Sequence, residues 1–254
     1  MRTIAISGSG SGIGAALRVR LESDGARVIG VDLKGAEIEA DLSSADGRTR
    51  ACAAVLSQTD GILDGVVACA GLGPHLEDAP AIAAVNYFGA VAWLSGLRAA
   101  LSRGTAPAAV AVSSNSITIS PGADGPLMKA CLADDETLAR GLARDGINAY
   151  AGAKLALARW VRREAVSAAW AGAGIRLNAV APGVTKTPMI EAGLASKTLG
   201  DAIRLLPVPL SDAAQPQQIA AAIAFLLGAD ASFCCGSVLF VDGGSDALLC
   251  PARP

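Results

Sequence analysis

The chain has 254 residues, of which 52% are hydrophobic and only 17% charged, with a formal net charge of −2. Low charge excludes a disordered chain, and 29 glycines without a three-residue period exclude collagen. The lack of a basic cluster or polybasic tail excludes nucleic acid as a partner.

A mean hydropathy of +0.45 raises a membrane question. A long apolar stretch without a charge, 19 residues from Ala79 to Leu97, approaches the ~20 that cross a bilayer. Pro80, Asn86, Tyr87, Gly89, Ser95 and Gly96 interrupt it, so it reads as a helix buried in a protein core, and no membrane partner is expected. Met1-Arg2 runs straight into the short apolar stretch Thr3–Ile6 and then into glycines, too short for a secretory leader. A cytoplasmic location is the expectation. Six cysteines, Cys52, Cys69, Cys131, Cys234, Cys235 and Cys250, match neither a disulfide framework nor a zinc pattern. They read as free thiols in a reducing compartment. With His75 the single histidine, no metal site is expected.

In chain order, β-like runs alternate with Ala-rich helical runs. Strand Thr3–Ile6 precedes helix Gly12–Asp24, and strand Arg27–Val31 follows. Between Asp32 and Asp41 there is little room for a helix. Parallel neighbours usually need a dozen or more connecting residues, so a lost helix and a reduced sheet edge are expected there. Strand Gly65–Ala68 leads to a long helix around Pro80–Leu101, then to strand Ala108–Ser113. Residues 115–147 form an insertion with a helical run from about Leu127 to Arg144, in which Leu127, Cys131, Leu138 and Leu142 share a face. Loops this long are often functional; a tolerated surface insertion is the other reading. Helix Ala149–Ala171, strand Ile175–Val180, helix Pro216–Leu227 and strand Ser237–Val241 close the chain. The alternation predicts one α/β domain over 1–254, a doubly wound parallel sheet with helices on both faces.

Chemistry-bearing residues fall at the ends of these elements. Ser7-Gly8-Ser9-Gly10-Ser11-Gly12-Ile13-Gly14 lies after the first strand and opens a helix. Glycines there let the backbone approach a pyrophosphate, and the helix N-terminus offers free N–H groups. Gly8, Ser11, Gly12, Ile13 and Gly14 are the expected contacts, although glycines also make ordinary turns. Asp32 ends the second strand 18 residues after Gly14. A carboxylate there accepts from adenosine ribose hydroxyls and repels a 2′-phosphate, so NAD is favoured over NADP, with Lys34 nearby arguing the other way. Asp41 and Leu42 suit an adenine amino group and ring face, and Ala70-Gly71 provides a small backbone at the next strand end.

Tyr150 and Lys154 stand four apart near a helix start and so share one face. A neighbouring ammonium favours a phenolate and lowers the usual tyrosine pKa near 10 by ~1–3 units. The strand Ala108–Val112 ends in Ser113-Ser114-Asn115-Ser116, and carboxyl ends of parallel strands are where ligands bind. Asn86, inside the long apolar helix, needs a polar partner or a water.

These residues together resemble the short-chain dehydrogenase/reductase family over nearly the whole chain. The glycine motif is Ser7-Gly8 through Gly14, the serine–tyrosine–lysine set is Ser114, Tyr150 and Lys154, and the helix asparagine is Asn86. The Pro-Gly motif is Pro182-Gly183, with Thr185 and Thr187 behind it, and Val241-Asp242-Gly243-Gly244 fits the family's tail. The resemblance implies a Rossmann-type fold and hydride transfer between a nicotinamide and a secondary alcohol or ketone. By the same resemblance Tyr150 is the general acid/base and Ser114 orients the substrate oxygen. Lys154 binds the nicotinamide ribose and lowers the tyrosine pKa, Asn86 holds a relay water, and Thr187 with the Val184 backbone fixes the carboxamide.

There are departures. Ala68-Cys69-Ala70-Gly71 stands for the usual Asn-Asn-Ala-Gly, and Ser114 and Tyr150 are 36 positions apart. The run Cys69–Pro74, the short Asp32–Asp41 segment and Val85-Asn86-Tyr87-Phe88-Gly89 are similar to a bacterial subgroup, the 3α-hydroxysteroid dehydrogenase/carbonyl reductases. A lid over 185–210, with Met189, Ile190, Leu194, Leu199, Leu205, Leu206 and Val208, suits a bulky hydrophobic alcohol or ketone; packing of the lid onto the body is the other explanation. The insertion before the catalytic helix crowds the family's helix-bundle interface, so a homodimer is expected rather than a tetramer. Alternatives are a dehydrogenase of another, non-steroid alcohol, a non-catalytic NAD-sensing protein on the same fold, and an enoyl or imine reductase.

Overall fold

The computed structural model describes residues 1–210 and 212–252. Its elements are β1 (Thr3–Ser7), α1 (Gly12–Ser23), β2 (Arg27–Asp32), β3 (Ile38–Glu39), α2 (Ala45–Gln58) and β4 (Gly65–Ala68). Next come α3 (Ala79–Ala83), a π-helical turn (Ala84–Gly89) and α4 (Ala90–Leu101), which together make one continuous helix, then β5 (Ala108–Val112). The insertion carries α5 (Ser116–Ile119), α6 (Pro126–Leu132) and α7 (Glu136–Leu142), and α8 (Gly146–Ala165) follows. The last part holds β6 (Arg176–Pro182), α9 (Pro188–Ala195), α10 (Gly200–Leu205), α11 (Pro216–Leu227), β7 (Val238–Val241) and α12 (Ser245–Leu249).

Among the described residues, seven strands pair in parallel, in the order β3-β2-β1-β4-β5-β6-β7. This is the expected doubly wound, Rossmann-type sheet. Alternate strand residues face opposite layers. Ala5, Ile29, Val66, Ala109 and Leu177 pack with α2, α4 and α8, whereas Ile4, Ile6, Val67, Val110 and Val180 pack with α1 and α11. Burial on both faces makes the strands continuous apolar runs, which accounts for the high hydropathy. The order reverses between β1 and β4, and ligands bind at the carboxyl ends beside such a switch point.

The Ala79–Leu101 helix is long and apolar enough to cross a membrane, but most of its apolar stretch is buried inside this fold. Trp93, Leu94, Leu97 and Leu101 are almost wholly buried, and Trp93 Nε1 donates to Val67 O at 3.1 Å.

The lost helix after β2 and the reduced edge are present. β3 pairs over only two residues, Val31↔Ile38 and Asp32↔Glu39, so the chain turns through Gly35 (φ 74°) instead of crossing the sheet. Glu37 substitutes for missing strand, accepting from Gly30 N at 3.1 Å.

Other elements depart from the sequence reading. Helix α2 was not anticipated; its start is set by Ser44, whose hydroxyl accepts from Gly47 N. The helical run 127–144 is two helices. Asp134 takes a left-handed φ of 59° and Asp135 caps α7 through Leu138 N. Leu138 accordingly points outward, half exposed, and does not share a face with Leu127 and Cys131. Helix α8 starts at Gly146, capped by Asp145 through Asn148 N, and ends at Ala165, short of Ala171.

Candidate active site

The carboxyl ends of β1 to β6 contribute to one cleft of about 540 Å³. At its cofactor side, Gly8 and Gly12 adopt left-handed φ of 76° and 52°. A Cβ on Gly8 would lie 2.5 Å from Ala70 N, and one on Gly14 would lie 1.9 Å from Gly8 O. Side chains are therefore excluded where the loop, α1 and the β4 end meet. Ser11 precedes α1 without capping it through its side chain, so the first-turn N–H groups have no side-chain cap. Ser11, Gly12, Ile13 and Gly14 line the cleft, an arrangement suited to an anion.

Asp32 Oδ2 accepts from Gly10 N at 2.8 Å and Oδ1 from Leu33 N at 2.6 Å. The carboxylate thus ties the glycine loop to the end of β2 while lining the cleft. Asp41 accepts from Ser43 N at 2.8 Å, and hydrogen bonds from Ser43 hold its carboxyl below the ordinary range. Buried Leu42 lies beside it. Ala70 and Gly71 form the β4 end, with Gly71 flanked by Asn86 and Lys154.

Ala68 stands at the position of the family's first asparagine, and Ser7 holds the two residues that follow it. Ser7 O accepts from Cys69 N at 3.1 Å and Ser7 Oγ from Ala70 N at 3.4 Å. Cys69 itself is a thiol that burial pushes up to about 12.

The chemistry gathers where β5 meets α8. Ser113 Oγ donates to Lys154 O at 2.9 Å, fastening the helix to the strand end. Ser114 lines the cleft opposite Tyr150, and its Oγ accepts from Ser116 N at 3.2 Å. Lys154, only 4% exposed, donates from Nζ to Val112 O at 2.7 Å. Its Nζ is 5.9 Å from the Tyr150 ring centroid. Burial lowers the Lys154 ammonium to about 8.

The expected depression of Tyr150 is not what this state shows. Burial raises its hydroxyl above the ordinary value, with the Ser114 hydrogen bond acting the other way. The reason is geometric: Lys154 spends its ammonium on the Val112 carbonyl, and desolvation of the phenol dominates.

Asn86 is fully buried in the π-helical turn and does not line the cleft. Its Nδ2 donates to Leu72 O at 2.9 Å and its Oδ1 accepts from Leu72 N at 2.8 Å. The amide's partners are the Leu72 peptide groups, and the side chain fixes the loop after β4.

Pro182, Gly183, Val184, Thr185 and Thr187 line the far wall. Thr185 Oγ1 donates to Gly183 O at 3.0 Å. Thr187 Oγ1 donates to Thr185 O at 3.2 Å and accepts from Ile190 N at 3.4 Å, so it caps α9. A Cβ on Gly183 would approach Asp242 Cα to 2.7 Å, which explains the glycine opposite the Asp-Gly-Gly tail.

Among the lid residues anticipated, Met189, Ile190, Leu199 and Leu206 face the cleft. Leu205 is instead 80% exposed, because α10 is a short helix with one face outward. The insertion reaches the cleft only at its ends, through residues such as Ser116, Ile119 and Ile147. Its middle packs away from the cleft, α6 against α8, where Leu127 meets Gly152. Sequence reasoning missed Leu33, Ser43 and His75 as cleft residues. His75 is the notable one, since its Nδ1 is buried without a hydrogen-bond partner; no local pattern marks it. Among the described residues no cluster suits a metal.

The same fold recurs in known proteins. The chain is 42% identical, over the full length of both, to a 3-alpha-hydroxysteroid dehydrogenase/carbonyl reductase of Comamonas testosteroni. It superposes with a TM-score of 0.96 on the 3-alpha-hydroxysteroid dehydrogenase from Pseudomonas sp. B-0831, solved with NADH, at 50% identity over 99% of this chain and 100% of that one. Levodione reductase gives a TM-score of 0.76 at 25% identity, over 97% of this chain and 98% of that one. A family model described as enoyl-(acyl carrier protein) reductase matches residues 137–246. The chain belongs to the short-chain dehydrogenase/reductase family of oxidoreductases.

Proposed function

We propose that this protein interconverts a bulky hydrophobic secondary alcohol and its ketone with NAD, a 3α-hydroxysteroid and 3-ketosteroid or an aromatic carbonyl being the substrate class. The observation that carries this is the meeting of Ser114, Tyr150 and Lys154 in a cleft with a glycine loop on one side and an apolar lid on the other. Both the Comamonas relative and the Pseudomonas structure bear 3-alpha-hydroxysteroid dehydrogenase names.

The residues fit a dinucleotide. Gly8, Gly12 and Gly14 leave a cradle that any Cβ would fill or strain, and the first turn of α1 is open to a diphosphate. Asp32 offers carboxylate oxygens to an adenosine ribose and opposes a 2′-phosphate, while Asp41 and Leu42 border the adenine. Lys154 holds the nicotinamide ribose; Pro182, Gly183, Val184, Thr185 and Thr187 fix the carboxamide end. When bound, NAD accepts the hydride in oxidation and NADH donates it in reduction.

The protein supplies position and the proton. Ser114 Oγ donates to the substrate oxygen and stabilises its developing negative charge. Tyr150, whose phenol burial keeps protonated, gives its proton to that oxygen in reduction and recovers it in oxidation. Asn86 holds the Leu72 segment in place beneath the site. The lid surrounds the apolar body of the substrate and excludes water.

The test is a survey of NAD- and NADP-linked oxidation across 3α-, 3β- and 17β-hydroxysteroids, aryl alkanols and small polyols. Activity confined to polyols sinks the bulky-substrate reading, and preference for NADP sinks the role of Asp32. A second reading, enoyl reduction, is favoured only by the description of the family model over 137–246. NADH-dependent reduction of an unsaturated acyl thioester, without alcohol oxidation, would establish it.

We further propose a homodimer. The α6 segment covers part of α8, the helix that would otherwise offer a bundle interface. Edge strand β7 and helix α11 leave Leu239 and Phe225 partly exposed, and Phe233 between them is fully exposed. Such apolar surface suits a second copy. The six unpaired cysteines suit the reducing cytoplasm.

A further inference from the structure

Arg48 of α2 is a buried cation, 7% exposed. Its Nε donates to Leu42 O at 2.8 Å, and its Nη2 donates to Ser43 O at 3.2 Å and Ala84 O at 3.1 Å. One guanidinium therefore holds the two residues that follow Asp41 and the first residue of the π-helical turn containing Asn86. A charge so placed needs a counter-ion. That counter-ion comes from 88 positions away, out of the insertion. Glu136 receives Arg48 Nη1 on Oε2 at 2.7 Å and Nη2 on Oε1 at 2.9 Å, a bidentate pairing that fixes orientation as well as distance.

Arg140, one turn further along α7, donates from Nε to Glu136 Oε1 at 2.9 Å and from Nη2 to Ser43 O. Burial works against ionisation of Glu136, but the bonds from Arg48 and Arg140 outweigh it and hold the carboxyl below its ordinary range. The arrangement is closed. The insertion supplies both a carboxylate for the buried arginine and a second arginine for the same loop carbonyl.

Leu42 and Ser43 line the cleft at its adenosine end, and α7 itself contributes nothing to the cleft wall. We infer that Glu136, with Arg140, is a positioning residue for cofactor binding: the middle of the insertion acts as a brace that sets the adenosine loop Asp41–Ser43, rather than as part of the substrate mouth. This rests on the NAD reading of the cleft. It gives the middle of the insertion a task distinct from that of its ends, which do meet the substrate side.

The test uses the full-length protein with Glu136→Gln and Arg140→Met, reading NAD kinetics and the binding of ADP-ribose, which carries the adenosine and diphosphate without the nicotinamide. Glu136→Gln keeps the shape while removing the charge. Arg140→Met leaves the Arg48–Glu136 pair intact and removes Arg140's bonds to Glu136 and to Ser43 O, so the buried arginine keeps its counter-ion and the test stands if the first variant fails to fold. Loss of these fixing bonds is expected to raise KM for NAD and Kd for ADP-ribose by about tenfold in Glu136→Gln, and about threefold in Arg140→Met, with kcat at saturating NAD within about twofold of wild type. Glu136→Asp is expected to recover part of the affinity. A folded Arg140→Met variant with unchanged ADP-ribose affinity overturns the inference, as does a variant that loses kcat while keeping affinity. Wild-type protein that fails to bind ADP-ribose overturns the NAD reading itself, a separate result.

Discussion

At the residue scale the site is governed by burial. Tyr150 is raised by desolvation, so the protonated phenol, the donor needed for carbonyl reduction, dominates at neutral pH. Reduction is expected to be favoured at and below neutrality and alcohol oxidation to climb as the pH rises, measured as kcat/KM in both directions from pH 6 to 10. Tyr150→Phe removes that proton and is expected to lower turnover by about 10²–10⁴-fold while NAD binding, followed by calorimetry, survives. Substantial retained turnover would show that another group moves the proton. Lys154 makes a sharper case, because its folded-state pKa of about 8 lies below the value near 10.4 of an unfolded lysine. The unfolded chain therefore binds more protons between those limits, and wild-type stability gains with pH there. The cost of burying the charge is fully present below pH 8, with a ceiling of about 3 kcal/mol. Lys154→Met removes that cost but also the 2.7 Å bond to Val112 O. The Tm of Lys154→Met relative to wild type is expected to be highest below pH 8 and to fall towards pH 10; a difference that does not change with pH would refute the buried charge.

At the element scale the glycine loop and α1 behave as one unit. Gly14→Ala places a methyl 1.9 Å from Gly8 O, and backbone on both sides leaves nothing flexible to move. Overpacking of this kind costs at least ~1–3 kcal/mol, so Gly14→Ala is expected to lower Tm and to abolish NAD binding; calorimetry showing normal affinity would refute the tight loop. The boundaries that the sequence disclosed were those set by strand composition and by the apolar alternation. Gly65–Ala68 and Pro216–Leu227 agree with the structure residue for residue. Helix α2 was not legible because its propensity is diluted by Thr49, Ser57 and Gly47, and only packing of Ala51, Cys52 and Val55 against the core decides it. The division of α6 from α7 rests on one left-handed residue, Asp134, whose conformation a helical pattern does not reveal.

At the scale of the whole molecule, the helices α1 and α11 on one face and α2, α4 and α8 on the other leave the β7 edge as the open flank. Phe233→Glu adds a charge at its most exposed aromatic and is expected to convert the proposed dimer to a monomer in light scattering, with hydride transfer intact. A variant that remains dimeric would place the interface elsewhere. The sequence by itself determined the class of fold, because strands buried on both faces must be apolar throughout and glycines must mark the close approaches. It also displayed Ser114, Tyr150, Lys154 and Asp32, since spacing along a helix or a position at a strand end is local information. Only the tertiary structure decided what surrounds them. That Lys154 answers to Val112, that Asn86 answers to Leu72, and that Glu136 reaches across to Arg48 all depend on groups distant in the chain. Their burial, which sets the charge each carries, exists only once the layers have closed around them.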